Sequence, residues 1–448
     1  MKERYMYFFR LPMELTSVFR IAGEDGTSEL VQDGEGHYIL PATSIAGAVK
    51  SYMQKEFPAE CSNVFGDENG DSKAYFYDSV CENVQFEKRI GIRIDGRTGT
   101  VKKGQLYNQY FIGQGMRCDL KIQFSVNEDK QDVVLEMMKS LISAINSKRL
   151  RFGGKKVNGA GTFSVNNAKY RVLDMQDDND RRDYIDMDIL SQFDRCDIVL
   201  DGTDRKNSLE ETRWISYQLN VDIPNGLLVR SGGRDSGTGS SALNMSKMVD
   251  GTERYYIPAS TIKGLVRAQA TKIGKLVGIE DTTLQLIFGH DGSSETNPIA
   301  GAVYAEDCLI NKATETVYHR LKIDRLTGAG INGALLGEKV VGTLPQSNTM
   351  IQLEVDRERL ASNDSQNGER LWKLANALVF LTLRDLGLGR LAIGSGESVG
   401  YGYMEASTLK INDSVCVFDS DARTINVGEC ETTIKSWLAE LEVSNEGN

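Results

Sequence analysis

Five cations (Lys148, Arg149, Arg151, Lys155 and Lys156) and four glycines fall within residues 148–161. Ammonium and guanidinium groups neutralise phosphate, and a peptide N–H beside a glycine can approach an anion with no Cβ in the way. The run ends at Gly159-Ala160-Gly161. A second glycine loop, Gly394 to Gly402, closes on Gly400-Tyr401-Gly402 and carries no cation. The same chemistry is available at two helix starts, where Ser44 and Thr261 stand near free N–H groups and the favourable end of a helix dipole. Lys50, Lys263 and Arg267 lie about a turn inside those helices. The alternative reading of the basic run is a solvated charge cluster that ends a helix.

Carboxylates offer a second chemistry. Asp25 and Asp235 lie in glycine-flanked loops, where a carboxylate either helps to hold a divalent cation or simply makes a turn. Histidine chemistry has little material, since the chain holds only His37, His290 and His319. The seven cysteines are scattered singly with no CxxC pair, which implies reduced thiols and no zinc site.

The elements that must position these residues occur twice. Tyr7, Phe9, Leu11, Met13 and Leu15 alternate as a half-buried strand, and so do Tyr217, Leu219, Val221 and Ile223, 210 positions on. At that displacement Arg20 to Asp25 falls on Arg230 to Asp235. Pro41-Ala42-Thr43-Ser44-Ile45-Ala46-Gly47 then matches Pro258-Ala259-Ser260-Thr261-Ile262-Lys263-Gly264 at 217. Phe65-Gly66 matches Phe288-Gly289 at 223, and Ile94-Asp95 to Thr98-Gly99 matches Ile323-Asp324 to Thr327-Gly328 at 229. Gly159-Ala160-Gly161 matches Gly400-Tyr401-Gly402 at 241. A collinear series with a growing displacement implies a duplicated module with loop insertions. Each copy reads strand, glycine loop, helix, strand, hairpin, helix, strand. The expected fold class is therefore α+β: two tandem ferredoxin-like (RRM-like, βαββαβ) modules with inserted hairpins and glycine-rich loops.

The expected boundaries are 1–172 and 209–410 for the modules, an acidic linker at 173–208 and an extension at 411–448. Seven aspartates between Asp174 and Asp188 mark the linker as polar and poor in apolar periodicity. A helix is expected near Thr432 to Leu441. The net charge of −11 taken alone opposes binding to a polyanion, yet the cations are segregated, which matters more than the sum. No signal peptide is evident and no apolar stretch is long enough to span a bilayer, so a cytoplasmic protein with no membrane partner is expected.

These residues resemble the RAMP superfamily of CRISPR-associated proteins. Four features carry the likeness, each present twice: the glycine loop after the first strand, the Pro-Ala-(Ser/Thr)-(Ser/Thr)-Ile-x-Gly helix start, the Phe-Gly step with its Ile-Asp-x-x-Thr-Gly segment, and the terminal Gly-x-Gly loop. The chain resembles the fused, double-module backbone subunits of type III effector complexes. The resemblance implies a scaffold that grips guide CRISPR RNA so that its bases pair with target RNA, beside other effector subunits. It also implies that the hairpin of each module presses into the guide–target duplex. Arg93 and Arg97 in the first hairpin, with Lys322 and Arg325 in the second, would then be contacts, or merely exposed hairpin charges.

Related subunits cleave target RNA with a loop aspartate and a divalent metal, so Mg2+ or a similar cation is implied only if this chain cleaves. The candidates are Asp25 and Asp33 in the first copy and Asp235 and Asp250 in the second, a turn role being the better reading of Asp33 and Asp250. The family's aspartate position falls near Leu243-Asn244-Met245 in the second copy, where asparagine stands. Three functions are compatible with these residues: a guide-RNA scaffold, a metal-dependent endoribonuclease acting on target RNA or guide precursor, and an assembly subunit that contacts protein alone. His37 and His290 occupy non-equivalent loops, which weighs against histidine-based processing.

Overall fold

The computed structural model describes residues 3–20, 31–66, 70–94, 101–202, 213–234, 242–249, 251–290, 292 and 297–443. The chain divides into two compact units: residues 1–91, 107–156 and 160–206, and residues 92–106, 157–159 and 207–448. Among the described residues no helix is long and apolar enough to cross a membrane.

In the first copy of the repeat the order is β1 (Tyr5–Leu15), α1 (Ala42–Glu56), β2 (Ala74–Tyr77), the hairpin β3 (Phe86–Ile94) and β4 (Val101–Ile112), and β5 (Arg117–Val126). Next come α2 (Gln131–Asn146), β6 (Phe163–Val165), β7 (Lys169–Asp174), α3 (Asp178–Asp186), α4 (Ile189–Asp194) and β8 (Ile198–Val199). The sheet runs β8-β7-β1-β5-β2, with β6 paired to the end of β1. Alternation does the sorting: Tyr7, Phe9, Leu11 and Met13 face α1 and α2 in the main core. Val134, Met138, Leu141 and Ile145 are buried from the other side, spaced as one helical face. Each such side chain contributes roughly 1.5–3 kcal/mol by leaving water.

The second unit repeats the order with β9 (Trp214–Asp222), β10 (Arg230–Arg234), β11 (Ala242–Asn244), α5 (Ala259–Leu276), β12 (Val303–Ala305) and the hairpin β13 (Ala313–Ile323) and β14 (Gly330–Thr343). It continues through β15 (Thr349–Asp356), α6 (Gly368–Gly387), β16 (Glu405–Ile411), β17 (Ser414–Asp419), β18 (Thr424–Asn426) and α7 (Glu431–Val443). Its sheet runs β12-β15-β9-β16-β17-β18. In both units the antiparallel order is therefore second, third, first, fourth strand of the repeat, with later strands added beyond the fourth.

Two expectations change. The acidic stretch is no solvated linker. Asp177 and Asp188 cap α3 and α4 by accepting backbone N–H bonds, and Asp183 pairs with Arg171 and Arg195. Phe193 and Cys196 pack with Phe8 and Leu173 on the sheet face away from α1 and α2. The Phe8 and Phe193 rings meet edge to face at 5.4 Å, a pair worth about 1 kcal/mol beyond its area. The aspartates face outward or cap, and the few apolar residues between them suffice to dock.

The second change concerns the displacement. It drops to 208 after the first strand, because Phe19 pairs with Ile112 as Leu227 pairs with Val341. Arg20 thus corresponds to Leu228 rather than to Arg230. The bend Pro224-Asn225-Gly226 makes the turn with two residues fewer than the first copy uses.

Each main helix starts at a proline in extended conformation, Pro41 and Pro258, with no cap from its own side chain. The cap comes from across the fold. Asp78 accepts from the Ala42 N–H at 2.6 Å and Asp307 from the Ala259 N–H at 2.9 Å. Asp307 also lies 3.3 Å from Lys247 Nζ, and both side chains are largely buried. Asp78→Ala should cost about 1 kcal/mol, an ordinary cap loss. Asp307→Ala should cost about 3 kcal/mol, since it also leaves the buried Lys247 ammonium without its carboxylate. Urea unfolding together with hydrogen exchange of peptides over α1 and α5 checks the order; equal losses would contradict it.

Candidate functional site

Gly161 and Gly402 each bond to the exit of the first strand in their own unit. The Gly161 N–H donates to the Val18 carbonyl at 2.8 Å, and the Gly402 N–H to the Gly226 carbonyl at 2.9 Å. Gly154 and Ser395 make the matching bonds to Arg20 and Leu228. A Cβ at Gly161 would stand 1.8 Å from the Phe152 carbonyl oxygen, and one at Gly402 2.1 Å from that of Ile393. The absence of side chains here is thus demanded by the protein's own backbone. Gly400 differs: its φ is +92° but a Cβ would meet open space, and its N–H donates to Glu397. Gly159 is buried with φ +77°.

Arg151 is not a surface cation. Its guanidinium is buried and donates to the carbonyls of Lys148 and Lys156, tying the ends of the basic loop together. Lys148 and Lys155 take left-handed φ of 62° and 59°. Lys155 is exposed, while Lys148, Arg149 and Lys156 are half-buried.

At the helix starts the first amide of each already holds a carboxylate, Asp78 or Asp307. Ser44 is exposed and Thr261 half-buried, and the N–H groups of both donate to the preceding prolines' carbonyls. Lys50 Nζ donates to the Gly66 carbonyl at 2.7 Å, so it braces the Phe-Gly step. Lys263 is 9% exposed, and Arg267, the counterpart of Lys50, is exposed. Sequence reading missed Asp78 and Asp307, although the two match at displacement 229.

The first strand of the second hairpin is exposed at most of its residues. Asp324 accepts from the N–H groups of Leu326 and Thr327 and from the Thr327 hydroxyl, and these bonds hold its pKa below the usual carboxylate value. The turn displays Lys322, Arg325 and Leu326, the last 97% exposed. Val317, Tyr318, Leu321 and Ile323 are also exposed along β13. Within the hairpin Arg320 sits 5.0 Å over the Tyr401 ring and 3.1 Å from Glu338. The first unit has a counterpart, Arg89 over Phe111 at 5.5 Å and 2.7 Å from Glu87. Phe111 packs with Ala160, and Val340 with Tyr401, so the two copies exchange the large and small partner at one contact.

Asp25, Asp235, Asp250 and Arg97 lie outside the described residues, as does the side chain of Arg93. Asn244, where the family's carboxylate was sought, is 7% exposed. Its Oδ1 accepts from the Val229 N–H at 3.0 Å and its Nδ2 donates to the Lys339 carbonyl at 2.7 Å. Asp33 accepts from the N–H groups of Glu35 and His37, closing a turn. Among the described residues no group of three histidine, cysteine or acidic side chains could hold a metal ion.

The family profile described as the RAMP superfamily matches residues 22–164 and 227–405, over two thirds of the chain. No curated protein matches. Among solved structures, a chain from "Cryo-EM structure of the Type III-B Cmr-beta bound to cognate target RNA" aligns at 15% identity with a TM-score of 0.31. That alignment covers 38% of this chain and 61% of the other.

Gly402→Ala should destabilise the protein by more than about 3 kcal/mol, through strain against a backbone oxygen. Gly400→Ala should cost only about 1–2 kcal/mol for its left-handed conformation. Comparable urea midpoints for the two would refute the close-approach argument. Asn244→Asp puts a carboxylate oxygen against the Lys339 carbonyl and raises the new group's folded pKa. The variant should lose about 2–3 kcal/mol at neutral pH, the cost of a buried unsatisfied charged group. The deficit should shrink as pH falls below about 5, where the acid is protonated and can donate. A deficit independent of pH would show that the amide is not needed.

Proposed function

The chain belongs to the RAMP superfamily, and from that premise we propose that it is a guide-RNA-binding backbone subunit of a type III CRISPR effector. It would act in the cytoplasm beside other effector subunits, supporting pairing of the guide with target RNA. Two tandem ferredoxin-like modules are part of this reading, supported by the strand order that both sheets share.

The carrying observation is the β13–β14 hairpin, whose fixed turn presents Lys322 and Arg325 beside exposed apolar side chains. Cations there can meet phosphates while Leu326 and Ile323 lie against bases or sugars. Because the terminal-loop and helix-start amides named above are engaged within the protein, phosphate contact in this reading comes from side chains: Lys155, Arg149, Arg267, Lys322 and Arg325. Binding is then a matter of counterion release, and its salt dependence counts the cations involved.

The Asn244 geometry favours a second module that does not cleave, since an amide satisfied on both sides leaves no charge for a metal. Cleavage with Mg2+ would then depend on Asp25 or on Asp235 from elsewhere in its loop.

The test uses the full chain and its co-purifying neighbours with labelled guide RNA across 50–300 mM salt (a range of about the size where such effects are large). The Lys322→Ala/Arg325→Ala double variant should flatten the slope of log K against log salt by about one to two units. An unchanged slope removes the hairpin from the interface. Absence of RNA binding by the parent at the lowest salt ends the scaffold reading. Labelled target RNA left intact with Mg2+ supports the non-cleaving form.

A further inference from the structure

The first sheet is covered on its outer face only in part. Helices α3 and α4 sit over Phe8 and Leu173, and beyond them a cavity of about 870 Å³ opens against β2 and β5. Its floor is a cross-strand pair, Tyr75 opposite Gln123. Tyr75 is 50% exposed, and Tyr184 forms part of the opposite wall.

The polar groups of this floor are poorly satisfied. Gln123 is 4% exposed, and its Oε1 accepts from the Tyr77 hydroxyl at 2.7 Å. Among the described residues its Nε2 has only the Met6 thioether as acceptor, 3.9 Å away, and sulfur is a weak acceptor. Among the same residues the buried Ser125 hydroxyl likewise has only Met6 Sδ. Burial pushes the Tyr77 phenol up to about 12, so it remains a donor to Gln123. A buried amide N–H pair without an oxygen acceptor costs free energy that an incoming carbonyl or ring nitrogen would recover.

We propose that this cavity is a nucleobase site, with Tyr75 as the stacking platform and the Gln123 amide and Ser125 hydroxyl reading the edge of the base. Exposed aromatic rings on an antiparallel sheet face are a recurrent surface for unstacked bases. The lining carries Glu3 and Asp71 against Lys73 alone, so the local field opposes a phosphate and the site takes the neutral base. A guanidinium would suit the rings and the acids but offers the Gln123 N–H pair no acceptor. The site deepens the RNA-binding reading and rests on it for the source of the base.

Nucleosides separate the two. Saturation-transfer NMR and calorimetry on the full chain, with the four ribonucleosides and their 5′-monophosphates, read the cavity directly. At least one nucleoside should bind, its monophosphate should bind no more tightly, and raising salt should change the affinity less than about twofold. Tyr75→Ala and Gln123→Leu should each weaken binding about tenfold, Tyr75→Phe should restore it, and thermal melts should confirm that the variants fold. No nucleoside binding, binding that needs the phosphate, or tighter binding of acetyl-arginine amide than of any nucleoside overturns the proposal. Guide binding with no nucleoside binding rejects the cavity alone. Nucleoside binding with no guide binding rejects the scaffold reading and keeps the cavity.

Discussion

Everything the site presents depends on one closure in each unit, where the exit of the first strand, the base of the hairpin and the terminal glycine loop meet backbone to backbone. In the first unit Phe19 and Ile112 exchange both bonds while Gly161 donates to Val18. In the second Leu227 and Val341 do the same while Gly402 donates to Gly226. Three segments far apart in sequence can approach this closely only where a side chain is missing. The hairpin gains its fixed base from that closure, and only then can its turn stand away from the unit.

The same constraint decides how an anion could be met. The backbone amides of Gly154, Gly161 and Gly402 are engaged in holding the closure, so these glycines serve architecture, and side chains are left to carry charge. The copies have diverged within that frame by compensated steps. Phe111 with Ala160 in the first copy stands where Val340 with Tyr401 stands in the second, so the large partner changes sides while an arginine lies over whichever ring is present.

The duplication, the order of elements and the apolar faces were legible because they rest on periodicity: Tyr7, Phe9, Leu11, Met13 and Leu15 are all buried. The roles of Arg151, Lys50 and Asn244 were not. Each is a polar side chain whose partners are carbonyls or amides brought near by the fold, and residue type alone does not separate an internal brace from a surface cation. Asp78 and Asp307 were visible as a matched pair, but a cap supplied from a distant strand has no local spacing to betray it. The acidic stretch misled for a related reason: composition averages over residues, whereas Phe193 and Cys196 dock individually. The displacement from Arg20 to Arg230 failed because an identical residue two places away outweighed the hydrogen-bond frame.

The two units differ most in the segments appended to the repeat. After the first, α3 and α4 fold over the sheet face away from the main helices and bury Phe8. After the second, β17 and β18 widen the sheet and α7 joins the core on the helix side, where Trp437 lies 6.5 Å from Tyr217. The outer face there keeps Gln218 between Gln352 and Lys410. One extension thus converts a sheet face into a half-roofed cavity, and the other widens its own sheet. Since the modules share strand order and closure, these additions decide how each outer face is framed, while the polar floor of the cavity stands on repeat strands. A duplicated scaffold acquires two different surfaces in this way without disturbing the contacts that hold its hairpins in place.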